Sequence, residues 1–304
     1  MEYVLTTAAL QKKYGSFTAL NNVSMHIPKG SIYGFVGRNG AGKTTLIRLI
    51  CGLQTPTAGE YRLFGKANTE KDIVKSRKRM GAVVETPSIY LDMSAEDNLK
   101  EQYRILGLPS FDSIPGLLAL VGLSDTGRKK AKNFSLGMRQ RLGIAVALSG
   151  NPDFLVLDEP ANGLDPQGII EMRELILKLN REQGITVLIS SHILDELSRL
   201  ATHYGFIDKG TILREISAVD LEAACRKCLC VTVSDVQTLC TVLDDKEIKY
   251  HVLSDNQAEI YGSITVTELV ESLSARGCVL SAIHEREEGL ENYYMNLIGG
   301  MGNE

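Results

Sequence analysis

From its first residues the chain sets apolar against polar positions in alternation. Tyr3 to Leu10 and Thr18 to Ile27 read as half-buried strands and Ser31 to Val36 as a more continuously apolar one, separated by Gly15 and by Pro28-Lys29-Gly30. A helix is expected from Lys43 to a stop at Gly52. Beyond Gly81 the pattern becomes helical. One helix is opened by Ser94 with Asp97 three residues on, a variant of the capping box, and closed near Gly107. Another is expected from Ser135 to Gly150. The apolar runs Asp153 to Leu157 and Ile185 to Ile189 are strand-sized, and between them Asp165-Pro166 caps a long helix that Gly184 ends. Strands alternating with helices imply an α/β unit whose parallel sheet is covered by helices. Two short strands around Asp208-Lys209-Gly210 close that unit as a hairpin.

From about residue 216 the texture changes. Strand Cys228 to Val233, helix Val236 to Leu243, strands Lys249 to Leu253 and Ala258 to Tyr261, helix Val266 to Arg276 and strand Val279 to His284 follow in the order βαββαβ. That is the split ferredoxin-like arrangement, so two domains are expected, 1–215 and a small α+β domain at 216–304. Leu290 to Ile298 reads as a final amphipathic helix. No internal repeat or low-complexity tract is evident.

Composition narrows the classes. The 304 residues are 44% hydrophobic and 23% charged, as in an ordinary globular protein. No apolar run reaches the length needed to cross a bilayer, so a membrane role has to come through a partner. Met1 to Leu10 lacks a basic segment followed by an apolar core, and the expected location is the cytoplasm. The six cysteines fit that compartment as reduced thiols. Cys225, Cys228 and Cys230 lie close together, yet no second Cys or His pair stands at zinc spacing, so they are read as thiols rather than ligands. A net charge of -4 argues against nucleic acid as a partner. The cluster Lys75, Arg77, Lys78 and Arg79 is read as a solvated face.

Chemistry enters with Gly37-Arg38-Asn39-Gly40-Ala41-Gly42-Lys43-Thr44-Thr45, placed between a buried strand and a helix start. This is the P-loop pattern. Its glycines let backbone N–H groups turn inward on phosphate oxygens, and the helix that follows adds its positive end. Lys43 would reach the β- and γ-phosphates, and the Thr44 hydroxyl would hold Mg²⁺. Phe154-Leu155-Val156-Leu157-Asp158-Glu159 is an apolar strand ending in two carboxylates. Asp158 suits Mg²⁺, and Glu159, on the other side of the strand, suits polarisation of an attacking water.

With these before and after it, Asn133-Phe134-Ser135-Leu136-Gly137-Met138-Arg139-Gln140 resembles the signature motif of ABC ATPases, with Leu136 and Met138 in place of the commonest Gly and Gln. The resemblance covers about residues 1 to 215. It implies a P-loop NTPase with an antiparallel β subdomain and a helical subdomain, an ATP- and Mg²⁺-dependent hydrolase, and a head-to-tail dimer. In such a dimer Ser135 to Met138 meet the γ-phosphate held on the opposite subunit. It further implies separate transmembrane permease subunits, with this chain peripheral on the inner face of the membrane. Tyr14 sits where the family stacks an aromatic ring on adenine. Asn162-Gly163-Leu164-Asp165 resembles the D-loop, with Asp165 also a helix cap, and His192 resembles the switch histidine that contacts γ-phosphate.

One position departs from the family pattern. Where most members carry glutamine on the loop that senses Mg²⁺ and the permease, this chain reads Val84-Glu85-Thr86-Pro87. Glu85, as a candidate Mg²⁺ ligand, resembles the substitution in the bacitracin-resistance and lantibiotic-immunity exporters. The tail Leu290-Glu291-Asn292-Tyr293-Tyr294 through Gly299-Gly300 is similar to that subgroup as well. The expectation is therefore an exporter of peptide antibiotics or similar amphipathic compounds. The alternatives are a soluble ABC ATPase acting on ribosomes or DNA, and a low-turnover regulatory module.

Overall fold

The computed structural model describes residues 2–224, 227–287 and 290–299. Cys225 and Gly300, both singled out above, lie outside the described residues. The chain forms two compact units, Met1–Ala218 and Val219–Glu304.

In the first unit the elements run β1 (Tyr3–Tyr14), β2 (Phe17–Pro28), β3 (Ile32–Val36), α1 (Lys43–Ile50), β4 (Ala58–Leu63), β5 (Lys66–Ala67), α2 (Ile73–Arg77) and β6 (Met80–Val83). They continue through α3 (Ala95–Leu106), α4 (Ile114–Leu120), α5 (Leu136–Leu148), β7 (Phe154–Asp158), α6 (Pro166–Gln183), β8 (Thr186–Ser191), α7 (Leu194–Ser198), β9 (His203–Asp208) and β10 (Thr211–Ser217). An antiparallel sheet in the order β2-β1-β4-β5 accompanies a six-stranded sheet, β10-β9-β3-β8-β7-β6. In the larger sheet β9, β3, β8, β7 and β6 are parallel and only β10 runs against its neighbour. Every residue of β3, β7 and β8 is buried, as expected of central strands covered on both faces. Burying each such Leu, Ile or Val stabilises the unit by about 1.5–3 kcal/mol relative to leaving it in water.

Local chemistry sets the helix ends. Ser94 accepts a hydrogen bond from the Asp97 N–H at the start of α3, and Gly107 ends that helix at φ 68. Asp165 accepts from the Gly168 N–H with Pro166 behind it, and Gly184, also at φ 68, closes α6. At the β9–β10 turn Lys209 and Gly210 both take positive φ, 45 and 77, the conformation that matches the twist of a hairpin.

Three differences from the sequence reading have simple causes. β1 continues past Leu10 to Tyr14, because register shifts around Ala9 break the alternation and put later residues out of phase. The helical stretch past Gly81 is preceded by β6, whose Gly81 lies so close to α5 that a Cβ there would be 2.3 Å from the Ala147 carbonyl oxygen. Its four residues are too few to show a period. Strands β4 and β5 are likewise short and add to the antiparallel sheet.

The second unit contains α8 (Ala218–Ala224, which spans the boundary), β11 (Lys227–Val233), α9 (Val236–Asp245), β12 (Lys249–Ser254), β13 (Gln257–Tyr261), α10 (Val266–Ser274), β14 (Leu280–Glu287) and α11 (Leu290–Gly299). Its sheet order is β12-β13-β11-β14 with every neighbouring pair antiparallel, the order of the split βαβ arrangement. Val231, Val233, Ala258 and Ile260 on one face pack against Leu239, Leu243, Leu269 and Leu273 of the two helices α9 and α10. Among the described residues no helix is long and apolar enough to cross a membrane.

Candidate functional site

Because β3, β8 and β7 are adjacent and parallel, their C-terminal ends open on one edge of the sheet, the usual place for a site in an α/β fold. The first end continues into Gly37–Gly42. A Cβ on Gly37 would lie 2.7 Å from the Ile207 carbonyl oxygen, and Gly42 takes φ +108 with the Ala19 carbonyl 2.8 Å from where its Cβ would be. Both positions therefore exclude side chains. Arg38, Asn39 and Gly40 are exposed on the outside of the loop, Ala41 is buried, and Thr44 and Thr45 are half-buried in the first turn of α1.

Lys43 is 6% exposed and arches back over the loop, its Nζ donating to the Gly37 carbonyl at 2.6 Å. The same Nζ lies 3.2 Å from Glu159 Oε1, and Glu159 Oε2 lies 2.7 Å from His192 Nδ1. The Lys43 ammonium and the His192 imidazole thus meet around one carboxylate, that of Glu159. Glu159 holds φ 50, a strained value for a residue with a side chain, at the point where the chain leaves β7.

The neighbouring Asp158 is 2% exposed. Its Oδ1 accepts from the Ser190 hydroxyl at 2.5 Å, whereas its Oδ2 is buried with no hydrogen-bond partner. A buried carboxylate oxygen without a partner is costly, and a cation bound there would satisfy it. Ser190 was not singled out by the sequence, yet its Oγ also accepts from the Glu159 N–H at 3.0 Å, so one hydroxyl positions both carboxylates. The available signal was a pair of serines, Ser190 and Ser191, ending a buried strand whose preceding residues Val187 to Ile189 are apolar. Cys51 completes this neighbourhood: burial, and next the charge of Asp158, push its thiol up to about 12.

A second group forms around the N-terminus of α5. Ser135 caps it, its Oγ accepting from the Met138 N–H at 3.2 Å. Leu136 is 45% exposed, with Gly137 and Met138 half-buried beside it. This turn lies against 162–165: a Cβ on Gly163 would be 3.2 Å from Leu136 Cδ2, and one on Gly137 3.6 Å from Leu164 Cδ2. Asp165 is the N-cap of α6.

Two sequence candidates stand apart in other contacts. Tyr14, 43% exposed at the end of β1, hydrogen-bonds to Gln54 through its hydroxyl, and Lys12 Nζ lies 5.1 Å from its ring centre. Glu85, at φ 60, pairs with Arg48 of α1 at 2.6 Å. Arg48 carried no signal in the sequence, since its partner lies 37 residues away.

Residues 20–162 match the ABC transporter family. The chain is 39% identical over 307 residues to a bacitracin transport ATP-binding protein, BcrA, of Enterococcus faecalis, spanning 99% of this chain and 98% of that one. The chain belongs to the ABC transporter family of ATP-hydrolysing subunits. The ABC ATPase is also 40% identical to the Bacillus licheniformis bacitracin transport ATP-binding protein, over 99% of both chains. Against a lantibiotic transport ATP-binding protein, SrtF, of Streptococcus pyogenes the identity is 45% over 68% of this chain and 87% of that one. Among solved structures, a dimeric ATP-binding cassette in a post-hydrolysis state with ADP and Pi superimposes with a TM-score of 0.63 at 25% identity, covering 70% of this chain and 98% of that one. The cbiO1 component of the Clostridium perfringens cbiONQ transporter gives 0.66 at 25% identity, covering 73% and 92%. Full-length relatives that are transporter subunits leave the reading as a ribosome- or DNA-directed ATPase without support.

Proposed function

We propose that this ABC ATPase powers the export of peptide antibiotics or similar amphipathic compounds through separate permease subunits, working as a head-to-tail dimer that holds two ATP molecules. The observation that supports the chemistry best is the Glu159 carboxylate held between Lys43 and His192. In this reading the N–H groups of Gly37 to Thr45 and the Lys43 ammonium hold the β- and γ-phosphates. Lys43 leaves its contact with the Gly37 carbonyl to do so. Glu159 orients a water and accepts its proton as the water oxygen bonds to the γ-phosphorus and the bond to the β-phosphate oxygen breaks, giving ADP and phosphate. His192 orients Glu159 and donates toward the γ-phosphate, and Ser135 to Met138 of one subunit close on the ATP held by the other.

The orphaned Asp158 Oδ2, with the Thr44 hydroxyl, suits Mg²⁺, which when bound neutralises charge on the β- and γ-phosphate oxygens. Glu85 joins that set only by releasing Arg48, so the pair is a restraint on the loop that signals to the permease. Tyr14 provides the ring for adenine, and Pro87 to Leu108 is the segment proposed to meet a cytoplasmic helix of the permease. The protein is thereby held at the inner face of the membrane.

The cargo assignment rests on likeness to the bacitracin and lantibiotic transport proteins, which for the former extends through the second unit. Deleting the gene and challenging cells with bacitracin, lantibiotics and unrelated toxic solutes tests it. Greater sensitivity to at least one peptide antibiotic is expected. Unchanged sensitivity to every peptide, with lost uptake of a nutrient, contradicts export.

A further inference from the structure

The second unit carries a group of side chains that ATP hydrolysis does not use. On β11, residues at even positions point away from α9 and α10, since Val231 and Val233 fill the core on the other face. Cys228 and Cys230 are therefore neighbours on the outer face, and both are buried. The register places Glu259 of β13 directly beside Cys230. Two thiol sulfurs and a Glu259 carboxylate oxygen lie within 4.8 Å of one another, all three residues being 8% exposed. On the opposite side of Cys230, His284 of β14 is the register partner, so a nitrogen donor stands one strand away on the same face.

We propose that Cys228, Cys230 and Glu259 form a site for a borderline-soft divalent cation, Zn²⁺ foremost. A tetrahedral zinc ion with sulfur at about 2.3 Å and oxygen at about 2.0–2.2 Å holds its ligand atoms roughly 3.5–3.8 Å apart. Ligand atoms that lie within 4.8 Å of one another exceed that spacing by at most about 1 Å, a gap that side-chain rotation closes. The ligand types select the metal: thiolates disfavour Mg²⁺ and Ca²⁺, and the carboxylate shifts preference from Cu⁺ toward Zn²⁺. Glu259 is held as metal-binding carboxylates commonly are, its Oε2 accepting from the Tyr261 hydroxyl at 2.5 Å. A disulfide is the competing fate of the pair. Two residues apart on a strand, however, the Cα atoms are about 6.6–6.8 Å apart, at the far limit of what a disulfide spans. Zinc-ligand spacing along the sequence could not reveal this site, because its third ligand comes from another strand, 29 residues on from Cys230.

Bound metal would tie β11 to β13 in the centre of the sheet. The test uses the full-length protein, reduced and stripped with a chelator, then titrated with Co²⁺ and Zn²⁺ without nucleotide. One Co²⁺ per chain with a thiolate-to-cobalt charge-transfer band, displaced by one equivalent of Zn²⁺, is expected. The band should vanish in Cys228→Ser/Cys230→Ser and persist in Cys240→Ser. Glu259→Gln should weaken Zn²⁺ binding by about a hundredfold or more, since loss of outer-sphere partners alone typically costs 10–100-fold. Parental far-UV circular dichroism and hydrogen-exchange protection of β11 and β13 in the metal-free variants show that the second unit is folded. Native mass spectrometry of the unmodified protein gives a reading independent of any substitution, with one zinc retained per chain. Absence of the band, binding that survives the double substitution, or no retained zinc overturns the proposal.

Discussion

At the scale of single residues, the two carboxylates proposed to hold Mg²⁺ and activate water are positioned by a serine. Ser190 donates to Asp158 and accepts from the Glu159 N–H, which also donates to the Ser190 carbonyl, so Ser190→Ala removes the donor from a buried charge while the N–H keeps one acceptor. Leaving such groups unsatisfied costs about 1–3 kcal/mol. The variant should lower stability by that order in urea melts. Turnover should fall about tenfold, as a loss of about 1.4 kcal/mol from the barrier implies. Unchanged stability together with unchanged turnover would remove Ser190 from the account. Cys51 allows a different check. Its thiol, pushed up to about 12 by burial and next by Asp158, stays protonated at neutral pH, and only the thiolate reacts. Alkylation followed by peptide mapping at pH 8 should leave Cys51 unmodified in the native protein and modify it in urea. Rapid native labelling would contradict that placement.

At the scale of elements, α3 depends on its first turn. Ser94 accepts from the Asp97 N–H while its hydroxyl donates to the Asp97 carboxylate at 2.7 Å, and that bond, the largest cause, holds the Asp97 carboxyl below its ordinary range. Ser94→Ala should destabilise the first unit by about 1 kcal/mol. A carboxylate lowered on folding contributes stability that is present above its unfolded pKa and lost as pH falls through the folded one. The gap between parent and variant in thermal melts should therefore narrow as pH drops below the ordinary aspartate range, and a gap that widens would contradict the contact. The same capping chemistry made this helix, α5 and α6 legible in the sequence, because Ser94, Ser135 and Asp165 act on residues three positions away. Alternation and short turns likewise exposed β2, the β9–β10 hairpin and the βαββαβ order of the second unit. What stayed hidden was set by tertiary contact. β6 is four residues held against α5, the reach of β1 is masked by a bulge, and Ser190, Arg48 and Glu259 meet their partners across 31, 37 and 29 residues.

At the scale of the whole molecule, the residues proposed for hydrolysis form two groups in one chain: Lys43 at the start of α1 with Asp158, Glu159 and His192 at the ends of β7 and β8, and Ser135 to Met138 with Gly163 and Leu164 at the start of α5. The proposed dimer joins the first group of one subunit to the second group of its partner. Ser135→Arg puts a bulky cation at a helix N-terminus, against the helix dipole and in the place meant for a phosphate. It should abolish turnover while leaving ATP affinity of the isolated chain within about twofold, as read by equilibrium binding. Affinity falling as far as activity would mean that the signature acts within one chain. The most direct measurement is the mass of Glu159→Gln by light scattering with Mg-ATP, taken beside its steady-state turnover. Removing the carboxylate that accepts the proton while keeping the phosphate cradle should lower turnover by about 10²–10⁴-fold and accumulate a dimer with two ATP bound. Near-parental turnover, or a variant that binds ATP yet stays monomeric, would contradict it.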